Sequence, residues 1–108
     1  MATRGKGIRK KSEQVTFSRF DAAEYLKSEK DMLLFLEAAM EEAGDDPAFI
    51  ADALGTIARA RGMTQLAKEV DLTREGLYRS LSKDGKPSFE TVWKVIRALG
   101  MRLTVEAS

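Results

Sequence analysis

Residues 63–81 read MTQLAKEVDLTREGLYRSL, and the way this stretch divides decides the fold. Two runs in it have helical spacing. Leu66, Ala67 and Val70 share one face of the first, which Thr64 is placed to cap, and Leu77 and Leu81 share one face of the second. Only Asp71 and Leu72 separate the first run from Thr73, the expected cap of the second. Two helices joined by so short a turn cannot fold back antiparallel, so they cross steeply, which is the geometry of a helix-turn-helix. The corner residues agree with this. Ala67 is small where the helices approach, and Leu72 is placed to plug the turn. Asp71 stands where the backbone favours a left-handed conformation, which Asp tolerates better than most residues other than glycine, the commoner occupant.

Capping residues and glycines mark the remaining elements. Asp21 with Glu24 forms a capping-box pattern, Phe20 and Tyr25 are spaced for a hydrophobic staple around it, and a short helix runs to about Lys27. Ser28 with Asp31 repeats the pattern and opens a longer helix with Met32, Leu33, Leu36, Ala39, Met40 and Ala43 on its inner face, closed by Gly44. Asp46 followed by Pro47 is an N-cap and first-position proline for a helix over 47–60, with Phe49, Ile50, Ala53, Leu54, Ile57 and Ala58 inward and Gly62 as its stop. After the turn-forming KDGKP at 83–87, Ser88 caps a last helix that buries Phe89, Val92, Trp93, Ile96 and Leu99 and ends at Gly100. In the following MRLTV, Met101, Leu103 and Val105 alternate with Arg102 and Thr104 as in a half-buried strand. The chain offers no second strand, and a lone one leaves its N–H and C=O groups unpaired, so antiparallel pairing with the same strand of a second copy is expected.

The predicted fold is therefore all-α: a compact helix bundle with a helix-turn-helix, plus a short C-terminal β-strand paired across a homodimer. One domain spans 20–108, with its helix-turn-helix core at about 47–100. Residues 1–19 form a basic tail too poor in apolar side chains to order itself.

Composition narrows the chemistry. With 108 residues and 44% hydrophobic content the chain suits one small domain. It has no cysteine and no histidine, which removes disulfides, thiolate nucleophiles, imidazole bases and the usual zinc ligands together. No enzyme activity, cofactor, metal or small-molecule substrate is expected. The basic start lacks an apolar stretch and nowhere do about 18 apolar residues run together, so a cytoplasmic protein without membrane contact is the expectation. The net charge of +1 hides segregation: 1–19 carries +5, 20–55 carries −8 and 56–102 carries +5. An acidic waist between basic regions suggests two kinds of contact surface, the basic ones facing a polyanion.

With Leu77 and Leu81 inward, 100° steps along the second helix of the pair point Glu75, Arg79 and Ser82 outward, with Gly76 beside them and Arg74 and Tyr78 on the flanks. Such a face suits the major groove of double-stranded DNA. Arg74 and Arg79 have the donors for guanine O6 and N7, and Glu75 can accept from cytosine N4. Gly76 lets the backbone come close, and Tyr78 can meet a thymine methyl or a phosphate. Thr64 and Thr73 suit phosphate contacts.

The stretches FDAAEYLKSEKDMLLFLEAAMEEAGDDPAFIADALG and IARARGMTQLAKEVDLTREGLYRSLSKDGKPSFETVWKVIRALGMRLTV resemble the addiction-module antidote proteins, over roughly residues 20–106. These are HigA-like antitoxins with a Cro/repressor-type (Xre-like) helix-turn-helix. The resemblance implies a protein that neutralises a cognate RelE/ParE-like toxin and represses its own operon as a dimer. On that reading Thr73, Arg74, Glu75, Tyr78 and Arg79 are the DNA-reading positions, with Gln65 near the phosphates. The acidic residues within 21–46 would complement a basic toxin. The tail is open to three readings: a DNA arm, a toxin contact or a plain extension. A stand-alone repressor without a toxin, and a protein-interaction module whose helix-turn-helix no longer touches DNA, are the competing readings.

Overall fold

The computed structural model describes residues 21–107, so the basic tail and the staple residue Phe20 lie outside the described residues. A single 3-10 turn, Ala22–Tyr25, leads into five helices: α1 (Glu29–Ala43), α2 (Pro47–Arg61), α3 (Met63–Glu69), α4 (Arg74–Ser80) and α5 (Phe89–Ala98).

Local side-chain chemistry starts most of these elements. Asp21 accepts the Ala23 amide at 3.0 Å, and Asp46 takes the amides of Ala48 and Phe49 with Pro47 at the first position. Thr73 accepts from Gly76 at 2.9 Å and Ser88 from Thr91 at 3.1 Å. Ser28 accepts the Asp31 amide at 3.1 Å, while the Asp31 carboxylate reaches back to the Lys27 amide at 2.9 Å, one residue earlier than a reciprocal capping box would. The exception is Thr64, which caps nothing. Gly62, at φ 119°, ends α2 by donating to the Ala58 carbonyl and is also the residue from which α3 starts. With one residue between the helices, Thr64 already lies inside α3 and cannot take the extended backbone an N-cap requires.

The helices pack in a chain of neighbours: α1 on α2, α2 on the 3-10 turn and α3, and α3 on both α4 and α5. Leu54 and Ile57 of α2, Leu66 of α3, Leu77 of α4 and Val95 of α5 are fully enclosed at the centre. Met32, Ala58, Met63, Ala67, Val70, Leu81, Ile96 and Leu99 surround them. Because α1 rests mainly on α2, it buries only a narrow stripe, Met32 and Ala39. Leu33 and Met40, expected inward, are exposed, as is Phe49 at the start of α2.

Two further expectations are corrected toward the C-terminus. Phe89 and Trp93, expected in the core, are 70% and 44% exposed and stack on each other with ring centroids 5.8 Å apart. Val95, absent from the expected stripe, is fully buried. The inward face of α5 is Val92, Val95, Ile96 and Leu99, and at 100° per residue Trp93 lies about 110° from its centre. The strand expected over Met101, Leu103 and Val105 is also missing, and no strand occurs among the described residues. A ladder needs a second backbone, and the described residues supply none. Instead, Gly100 (φ 82°) closes α5 in a Schellman turn, its amide donating to Arg97 and the Met101 amide to Ile96. Met101 packs half-buried on the core, while Leu103 and Val105 face outward.

One close approach ties the end of α4 to α2. A Cβ built on Gly55 would stand 2.1 Å from the Leu81 carbonyl oxygen, so only glycine lets the two backbones meet there. Gly55→Ala is expected to cost about 1–3 kcal/mol through overpacking against a rigid backbone atom. Urea denaturation followed by circular dichroism measures this, and an unchanged midpoint would show that α4 is not seated by this contact.

Candidate nucleic-acid interface

The corner between α3 and α4 is a second Schellman turn. The Leu72 amide donates to the Ala67 carbonyl at 2.9 Å and the Asp71 amide to Lys68 at 3.3 Å. This bond pattern requires a left-handed residue after the helix end, and Asp71, at φ 62°, supplies it as its position in the sequence implied. The small Ala67 is buried beneath the turn as expected. Leu72 does not plug the turn: it is 38% exposed, while Val70, at 3%, is buried in the core.

With Leu77 and Leu81 enclosed, α4 turns its other face outward. Arg74, Glu75, Tyr78 and Arg79 together line one open depression of about 310 Å³. Neither Arg74 nor Arg79 makes an ion pair or a side-chain hydrogen bond with any described residue, so both guanidinium groups keep their donors for an external acceptor. Thr73 is exposed, and its hydroxyl oxygen holds the Gly76 amide while its O–H hydrogen stays available. Gly76 has a local reason to be glycine besides backbone approach to a ligand. It is half-buried, and a Cβ there would sit 2.9 Å from the capping Thr73 hydroxyl.

The remaining expected site residues, Thr64 and Gln65, lie exposed on α3. Gln65 is engaged: its amide donates to Glu69 at 3.4 Å. Glu69 also pairs with Arg61 at 3.5 Å, and Arg61 donates to the Ala98 carbonyl at 3.3 Å, so this group bridges α2, α3 and α5. Of the expected dimer contacts, Leu103 and Val105 are outside and Met101 belongs to the core edge.

Sequence reading missed the best-formed ion pair. Arg59 of α2 grips Asp21 with two parallel bonds, Nε to Oδ2 at 3.2 Å and a terminal nitrogen to Oδ1 at 2.9 Å, and also donates to Thr56. The two residues are 38 positions apart, and no local signal joins them. The pair fastens the 3-10 turn onto α2. The Arg59 guanidinium, helped by the Ala23 amide, holds the Asp21 carboxyl below its ordinary value. Because that carboxyl is more acidic folded than unfolded, its stabilisation is present above about pH 4 and lost as pH falls through the folded value. Both side chains remain about a third exposed, so the contribution is about 1 kcal/mol or less. Asp21→Asn is expected to lower stability slightly at neutral pH and by less at pH 3, measured by denaturant unfolding at both pH values. Parallel losses at the two pH values would rule out this assignment.

The family model described as "Probable addiction module antidote protein" matches residues 16–107 of the chain. A protein of Haemophilus influenzae (strain ATCC 51907 / DSM 11121 / KW20 / Rd), described as uncharacterized, is 46% identical over 89 residues, covering 82% of this chain and 90% of that protein. No solved structure matches. The family match covers the whole described domain, from the 3-10 turn through α5 and the corner between α3 and α4, and the chain belongs to the addiction-module antidote family.

Proposed function

We propose that this antidote is a cytoplasmic antitoxin of a type II module, working by binding alone. It neutralises a RelE/ParE-like toxin and represses its own operon as a homodimer, with α3 and α4 as an Xre-like helix-turn-helix. The observation that carries the DNA-binding half is the outward face of α4: Arg74 and Arg79, unpartnered among the described residues, flank Glu75 and Tyr78 on a helix seated by Leu77, Leu81 and the Asp71 corner. Inserted in a major groove, the two arginines donate to guanine and Glu75 accepts from cytosine, while Thr64, Gln65 and Thr73 stand on the side of the phosphates. Arg74→Ala and Arg79→Ala are each expected to cost about 1–3 kcal/mol of operator affinity and relax preference at one base position per half-site. Lys86→Ala, on the loop before α5, should weaken all sequences alike and reduce the salt slope by about 0.9 for each phosphate no longer neutralised. Fluorescence anisotropy against operator and scrambled duplexes, titrated with salt, separates these outcomes. Unchanged operator affinity for both arginine variants would remove the groove assignment.

The toxin-binding half rests on α1. Its outer surface carries Glu37, Glu41 and Glu42 beside the exposed apolar side chains Leu33, Leu34 and Met40, an acidic field studded with apolar side chains that suits a basic protein. Reversing Glu37, Glu41 and Glu42 to lysine is expected to slow association with the co-encoded toxin and flatten its salt dependence. Operator binding should be unaffected. Surface plasmon resonance at two ionic strengths provides the measurement, and identical association rates would displace the toxin from α1.

A further inference from the structure

We infer that the exposed ridge Phe89–Trp93–Arg97 of α5 is a two-fold interface at which a second copy of this chain docks. The inference rests on the dimeric reading above and specifies the surface it uses. The three residues are spaced i, i+4, i+8 and so line one face of the helix. Two large aromatic rings stacked in the open, 70% and 44% exposed, are costly to leave in water and mark a contact surface.

The charges beside the ridge point to the occupant. Trp93 borders an open depression of about 510 Å³ that it shares with Glu69, Lys94, Arg97 and Ala98. The surroundings therefore carry both signs, with Glu90 and Glu69 against Lys94 and Arg97, whereas α1 offers acids in excess. A balanced patch complements itself, as an isologous contact requires. If two α5 helices cross antiparallel with the axis at Trp93, each position before it faces the equivalent position after it on the other copy. Phe89 of one copy then lies over Arg97 of the other, a cation–π contact, and Glu90, which pairs with Lys94 of its own helix at 3.0 Å, stands one position along from it beside the same guanidinium. Phe89 becomes the projection that enters the partner's depression. A standard interface buries about 800 Å² per partner and a large aromatic side chain about 150–250 Å². With Phe89 70% and Trp93 44% exposed, the two rings supply about a third of that at most, and the charged rim around them supplies the rest.

Trp93 is the only tryptophan in the chain, so its fluorescence reports directly on this face. Sedimentation equilibrium of the full chain over a dilution series is paired with Trp93 emission and acrylamide quenching. The expected result is a red shift and increased quenching that follow dissociation of the dimer. Phe89→Glu should weaken the dimer at least tenfold while keeping the helical spectrum, since Phe89 supports no core contact. Arg97→Glu should weaken it as well, and adding Glu90→Arg to Arg97→Glu should restore it. A dimer in which Trp93 stays fully quenchable overturns the interface while leaving the dimeric reading intact. A chain that is monomeric at every concentration overturns both and leaves the ridge to another partner.

Discussion

The arrangement depends on one backbone conformation, the left-handed turn at Asp71. It lets the Leu72 amide reach back to Ala67, ending α3 so sharply that α4 begins only a few residues after Val70. A longer loop would give α4 a choice of directions, whereas this turn permits one. The residues that exploit the direction follow immediately: Thr73 caps, Leu77 and Leu81 anchor, and Arg74, Glu75, Tyr78 and Arg79 are left outside. Holding a non-glycine residue at positive φ costs stability, and Asp is among the side chains for which that cost is smallest.

Around this corner the protein separates its surfaces. The outward face of α4 is flanked by arginines without described partners, the outer face of α1 is acidic, and the ridge of α5 is aromatic and charge-balanced. Three surfaces of different chemistry on so short a chain leave a small core, to which all five helices contribute. Long-range ties reinforce it. The Gly55–Leu81 approach seats the end of α4, the Arg59–Asp21 fork holds the first turn, and the Arg61–Glu69 pair with its Ala98 contact joins three helices. These ties keep the three faces fixed relative to one another.

Much of this architecture was legible before any coordinates. The caps at Asp21, Ser28, Asp46, Thr73 and Ser88 all form, because a cap is a bond between residues two to three positions apart and needs no tertiary information. Asp71 was recognisable for the same reason. The Thr64 cap failed because α2 and α3 share Gly62 as their junction, a matter of how two helices meet. Leu72 failed because the backbone leaves α3 with Val70 turned into the core and Leu72 turned toward solvent.

Sequence by itself determined where the helices start and stop and which face of α4 points away from Leu77 and Leu81, since both follow from bonds and periodicities within a few residues. Only the tertiary structure decided what each apolar face meets. Periodicity states that Phe89, Trp93, Leu33 and Met40 share a face with buried neighbours, but how far the covering extends around a helix depends on the neighbour's position. In α5 it reaches Val95 and stops short of Trp93, and in α1 it stops at Met32 and Ala39. The Arg59–Asp21 and Gly55–Leu81 contacts were out of reach for the same physical reason: they join residues distant in the chain, and only the completed packing sets them side by side.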